Sequence, residues 1–223
     1  MINKNANRIA ALAGFILLGI ATNSNAIDYS YTGNFVNDND VQFFTFSVGA
    51  ASSDVILRTW SYAGGVNAAG QTIARGGFDP ILAVFDSSGN LINQNDDGGA
   101  GHVGADSVTG RYWDTFLDLG FLGVGSYQVA VMQYNNFANG PTLANGFVHD
   151  GVADLAFTHT LVGQPSGLFW DVSGNQRDSH WAFDILGVEQ ATQVNNMPDA
   201  GSTSALLGLV FGGFALLRKR LQD

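Results

Sequence analysis

The amino-acid sequence predicts an all-β fold, an antiparallel β-sandwich flanked at each end by a short apolar segment. Three observations carry this. Apolar residues between positions 27 and 196 recur in short runs with period two, the spacing of one face of a strand. Clusters of Gly, Asn, Asp and Ser separate the runs and supply turn chemistry. Seven or more short strands with such punctuation read as two packed sheets.

Taken in order, residues 41–48 place Phe44, Phe46 and Val48 on one face. Residues 54–63 alternate Ile56, Trp60 and Tyr62 against Val55, Leu57 and Thr59, with Arg58 interrupting the first face. Residues 81–85 are continuously apolar and of buried-strand length, and a return strand through Leu91 and Ile92 follows the turn at 86–90. Residues 115–122 form the next run, and residues 127–134 put Tyr127, Val129 and Val131 on one side. Residues 154–161 and 180–188 complete the set, the last aligning Trp181, Phe183 and Ile185. The long unpatterned stretch 135–151 reads as a surface loop, and no internal repeat is evident.

The N-terminal segment carries Lys4 and Arg8, an uncharged apolar stretch at 9–21, and small residues Ser24 and Ala26 before Ile27. That order is a signal peptide, with cleavage expected after Ala26 by signal peptidase. The apolar run is too short for a spanning helix, which takes about 20 residues. Three parts therefore follow: a leader at 1–26, one domain at 27–196 and a tail at 197–223.

The tail has an uncharged run at 203–217 followed at once by Arg218, Lys219 and Arg220. Basic residues stay on the cytoplasmic side, so this hydrophobic helix would sit in the inner membrane with its basic end inside and the domain outside. Before it stands Met197-Pro198-Asp199-Ala200-Gly201-Ser202-Thr203. The succession of proline-acid motif, apolar helix and basic end resembles a PEP-CTERM sorting signal, in the variant built on Val-Pro-Asp-Ser-Gly. Pro198, Asp199 and Gly201 match that motif, while Met197 and Ala200 depart from it. The resemblance implies an exosortase-like membrane transpeptidase as partner, in bacteria that make extracellular polysaccharide.

From 27 to 198 the chain has 17 acids against Arg58, Arg75, Arg111 and Arg177, with no Lys, a net charge of 4 − 17 = −13. Such a surface repels nucleic-acid phosphates and anionic lipid and attracts cations. There is no cysteine, so no disulfide ties the domain.

Segment 76–101 is the most informative. It reads as a strand entered by Asp79-Pro80, a tight turn at 86–90, a return strand, and an acidic loop at 95–98. It resembles the signature hairpin of bacterial pre-peptidase C-terminal domains, a jelly-roll-like β-sandwich family. The strands at 43–46 and 180–186 extend that likeness, which implies a noncatalytic module presented at the cell surface. Asp79, Asp86, Asn95, Asp96 and Asp97 gather hard oxygen donors around two turns, the chemistry of Ca2+. Plain turn stabilisation by the same side chains is the alternative. An EF-hand reading of Asn93, Asn95, Asp97 and Gly98 fails, because its twelfth position is Gly104.

Catalytic motifs are sparse. No Cys nucleophile, Gly-x-Ser-x-Gly elbow or His-Glu-x-x-His helix is present, and His102, His149, His159 and His180 are scattered. His149-Asp150 with Ser126 or Ser166 makes a triad only if geometry assembles it. The expected function is a noncatalytic surface or matrix protein associated with extracellular polysaccharide or biofilm. Two alternatives stand: a carbohydrate-binding module using Trp60, Trp113, Trp170 or Trp181, and a secreted hydrolase.

Overall fold

The computed structural model describes residues 26–49 and 54–194. Apart from Ala26, the leader expected at 1–26 lies outside them, as does the tail expected at 197–223.

Thirteen strands occur among the described residues: β1 Ile27–Asn34, β2 Gln42–Val48, β3 Ile56–Thr59, β4 Gly65–Val66, β5 Thr72–Ile73, β6 Pro80–Phe85, β7 Leu91–Asn95, β8 Phe116–Asp118, β9 Gly125–Gln133, β10 Phe169–Trp170, β11 Gln176–Arg177, β12 His180–Val188 and β13 Gln190–Val194. A four-stranded sheet runs β1-β12-β3-β8 and a five-stranded sheet runs β13-β2-β9-β6-β7, every pairing antiparallel. Strands β4 and β5, and β10 and β11, form two small ribbons. The chain changes sheet at most of its long connections, so the two sheets are wound together as in a jelly roll.

Their inner faces meet in one core. Phe44, Phe46 and Val48 of β2, Leu82 and Val84 of β6, and Val129 and Val131 of β9 pack against Leu57, Leu117, Trp181, Phe183 and Ile185 of the other sheet. Period two explains this set, since each residue shares its face with an apolar neighbour two positions along. Phe44 has ring contacts with Tyr31, Trp181 and Phe183, with centroids 4.7, 5.7 and 5.0 Å away. Such tilted and edge contacts add to the burial of each ring.

Strand β6 is buried along its whole length, which its unbroken apolar sequence requires. Its second face, Ile81, Ala83 and Phe85, packs with Phe43, Ala130, Met132 and Phe147 in a separate cluster. The cover is the segment expected as a surface loop. Residues 135–151 fold back across the five-stranded sheet, and Phe137, Ala138, Leu143 and Phe147 close over β6. The Leu91 amide donates to Pro141 O, and Ala138 N to Gln94 Oε1, so the segment is also pinned along β7.

Three expected runs end differently. Residues 154–161 are not a strand: a short helix, α1, spans Phe157–Val162 and stops at Gly163, whose φ of 68° is the left-handed conformation that favours glycine. Its start is held from outside, where Asp38 Oδ2 accepts from Thr158 N at 2.9 Å and Thr158 Oγ1 at 2.7 Å. That acceptor is 120 residues away in sequence, so no local pattern announces it. The run at 54–63 is strand only as far as Thr59, because the chain then bends so that Tyr62 N and Ala63 N donate to Asp114. Val55, Leu57 and Thr59 are the buried side of that run. The run at 115–122 contributes only Phe116–Asp118. Strands β1 and β13 have no counterpart among the expected runs: both are polar edge strands, placed by pairing with β12 and β2.

Candidate functional site

The acidic hairpin is built as its sequence suggests, with β6 and β7 paired Leu82 to Asn95 and Val84 to Asn93. Pro80 opens β6, a position where its missing N–H removes no ladder bond. Beyond Asn95 the two strands are joined by Thr115, whose hydroxyl donates to Pro80 O and is 2.7 Å from Asp96 O. The Gly98 amide donates to Asp114 O at 2.8 Å, and a Cβ on Gly98 would stand 2.6 Å from Val103 Cγ1. Only glycine lets the loop pass that close.

The five nominated oxygen donors divide sharply in this frame. Asp86 belongs to its own turn: its carboxylate accepts from Ser88 N, Asn90 N and Asn90 Nδ2, and these bonds lower its pKa. Asn95 braces the loop, its amide donating to Asp97 O at 2.9 Å and Phe116 O at 3.0 Å. Asp96 Oδ1 accepts from Asp97 N. Partial burial and the neighbouring Asp96 charge push the Asp97 carboxyl, exposed at its outer edge, up to about 6. Asp79 is 3% exposed and its Oδ1 has no hydrogen-bond partner. Burial, followed by the charges of Asp97, Asp96, Asp114 and Asp171, raises its pKa well above the usual carboxylate range. Among the described residues no group of three His, Asp or Glu side chains already stands in metal-binding geometry.

Asp114 and Asp171 escaped the sequence reading. Asp114 accepts from Thr59 Oγ1, Tyr62 N and Ala63 N, and Asp171 from Tyr62 Oη, Ser173 N and Asn175 N. Both carboxylates are thus spent on bracing chain bends. The only signal for Asp114 was its place between an aromatic and a β-branched residue, which is common to many strands.

A second buried charge network lies beside Tyr62. Asp106 pairs with Arg75, and its Oδ2 lies 3.7 Å from Arg177. Arg177 lies over the Tyr62 ring at 3.7 Å and donates to Gly77 O. The histidines occupy four separate places. His102 stacks on Phe116; His149 stacks on Phe157 and bonds Asn135; His159 bonds Gln164 O; His180 bonds Asp178 and Ala74 O. Ser126 lies in β9 and Ser166 follows α1, and neither bonds His149.

Of the tryptophans, Trp181 is core. Trp60 is covered by Arg58 at 3.8 Å and donates to Asp184, Trp113 packs on Tyr62, and Trp170 donates to Pro165 O.

In comparison with known proteins, a family model described as the VPDSG-CTERM motif matches residues 198–221. This is the sorting-tail pattern of Pro198, Asp199 and Gly201 with Arg218, Lys219 and Arg220 behind it, so the chain carries the tail of a sorted, exported protein. No curated protein matches the chain.

Proposed function

We propose that this chain is a noncatalytic surface or matrix protein, delivered outside the cell and cut at its tail by an exosortase-like membrane transpeptidase, where it associates with extracellular polysaccharide. The observation that carries the reading is the VPDSG-CTERM match at 198–221, on a chain whose first residues have signal-peptide order. The wound antiparallel sandwich supports it, as a rigid body suited to presentation, and so does the likeness of segment 76–101 to pre-peptidase C-terminal domains. The separate engagement of the four histidines supports a noncatalytic role, since acid–base chemistry needs such groups to converge on a shared site.

The reading is tested by fractionating a culture and determining both ends of the mature protein by mass spectrometry. The expected N-terminus is Ile27 and the expected C-terminus lies within 197–205. Recovery of Asp223 on the mature surface form would replace processing with a permanent anchor. Release of the protein by enzymatic digestion of the polysaccharide, and not by salt, is the expected sign of matrix association.

A further inference from the structure

An open β-sheet has two edges, and each is a row of unpaired N–H and C=O groups to which another strand adds unless something blocks it. The two main sheets of this sandwich end in β1 and β8, and in β13 and β7. Three of these edges are blocked. Residues 135–151 seal β7, with Leu91 N donating to Pro141 O and Ala138 N to Gln94 Oε1. Strand β8 is three residues long and ends in the exposed Asp118. Strand β1 carries Asp28 and a shift of register between Ile27 and Tyr29, and both features spoil an edge for pairing. Strand β13 has none of these protections. Its sequence Gln-Ala-Thr-Gln-Val holds no charge, proline or glycine, it keeps register with β2 over all five residues, and no other strand among the described residues pairs with its outer side. We propose that β13 is the contact by which two copies of this chain associate, pairing antiparallel edge to edge so that the five-stranded sheet continues across a two-fold axis.

Charge and geometry select a second copy as the occupant. The domain is strongly acidic, so two copies approach closely only where their like charges stay apart. An antiparallel pair centred on Thr192 sets residue 190 of one copy opposite residue 194 of the other and engages all five residues of each strand. The acid next to the strand, Glu189, then stands about 20 Å from its counterpart at about 3.4 Å per residue, well beyond the screening length of about 8 Å at physiological salt. Asp28, whose carboxylate accepts from Gly187 N, lies at that same end and is kept apart in the same way. The edge is already ordered, since Gln42 Nε2 donates to Val194 O at 2.9 Å and Gln193 Nε2 to Gln42 Oε1 at 3.1 Å, so pairing costs β13 little entropy. The chain beyond the strand permits the arrangement. The two copies of Val194 leave the pair about 14 Å apart, and residues 195–202 span up to about 27 Å when extended, so both tails reach one membrane. Insertion of the tails in that membrane, which belongs to the proposed function, would raise the effective concentration of the copies; the pairing itself does not rest on that reading.

The chain has no cysteine, so a single introduced thiol joins two copies only where association brings it to its own counterpart. Intact cells exporting the full-length chain are treated with a copper oxidant, and the products are read by mass on a non-reducing gel. Thr192→Cys should cross-link as a homodimer, because facing residues of an antiparallel pair have Cα atoms about 4.5 or 5.5 Å apart, within the disulfide range. Gln190→Cys, also exposed and two residues away, should give at least about fivefold less dimer, its counterpart lying about 14 Å off. Ser88→Cys, exposed on the β6–β7 turn at the far side of the sheet, should give as little. Sedimentation of the full chain in detergent is the second measurement: the native chain should run as a dimer, and Thr192→Lys, which sets two like charges face to face, as a monomer. Absence of a disulfide at position 192, equal yields at the three positions, a product joined to a different protein, or a mass unchanged by Thr192→Lys would each overturn the pairing.

Discussion

Asp106 shows how this domain keeps a charge in its interior. Its side chain is fully buried, which alone would raise its pKa, yet hydrogen bonds from Arg75 and Thr109 and the charge of Arg177 outweigh burial and lower it. A depressed carboxylate stabilises the folded state above its ordinary pKa near 4, and that contribution is lost as pH falls through the folded value. Asp106→Asn should therefore cost about 3 kcal/mol at pH 7, because Arg177 is left buried with its partner charge gone. The deficit should shrink progressively as pH falls from about 4 toward the depressed folded value, where the native chain also loses the term, and urea unfolding at pH 7 and about pH 2 reads the difference. None of this was visible in the sequence, where positions 75, 106 and 177 stand far apart. The candidate cation donors were more legible, since Asp79, Asp96 and Asp97 cluster along the chain, but the burial that separates Asp79 from Asp86 is a property of the packed sheets.

Among the elements, the segment 135–151 departs furthest from expectation. It reads as an exposed loop because it lacks period two and is rich in Asn and Gly, yet Phe147 is buried against Phe43, with ring centroids 5.9 Å apart. The uniformly apolar β6 implied that something must cover its second face, and in an open sandwich an irregular segment performs the task. Phe147→Ala should then cost about 3 kcal/mol by opening a cavity over Ile81 and Phe85. Thermal and denaturant unfolding would check it, and a change below about 0.5 kcal/mol would make the segment a mere surface attachment. Helix α1 teaches the same lesson in reverse. Its residues alternate like a strand, but Asp38 holds Thr158 by two hydrogen bonds and Gly163 ends the turn.

At the scale of the whole molecule, the folded domain and the two chain ends obey different physics. Under the proposed function the ends act as short linear signals, so Arg218, Lys219 and Arg220 should matter to orientation and cutting and not to folding. Replacing all three by Gln should leave the domain's melting temperature unchanged and raise the fraction of chains that keep Asp223, as measured on exported material by mass spectrometry. Normal processing of that variant would remove the basic end from the signal. Phe44, Phe46, Val84, Val129, Val131, Phe183 and Ile185 meet between the sheets as their spacing required, because a strand's alternation leaves only one face for such residues. What the sequence by itself determined was whatever repeats or clusters locally: the sheet-forming pattern, the inward faces, the acidic hairpin and the tripartite tail. What only the tertiary structure decided was which distant groups meet. Asp38 with Thr158, Asp106 with Arg177, and the cover over β6 all depend on the path by which two sheets are wound together, and strand periodicity carries no information about that path.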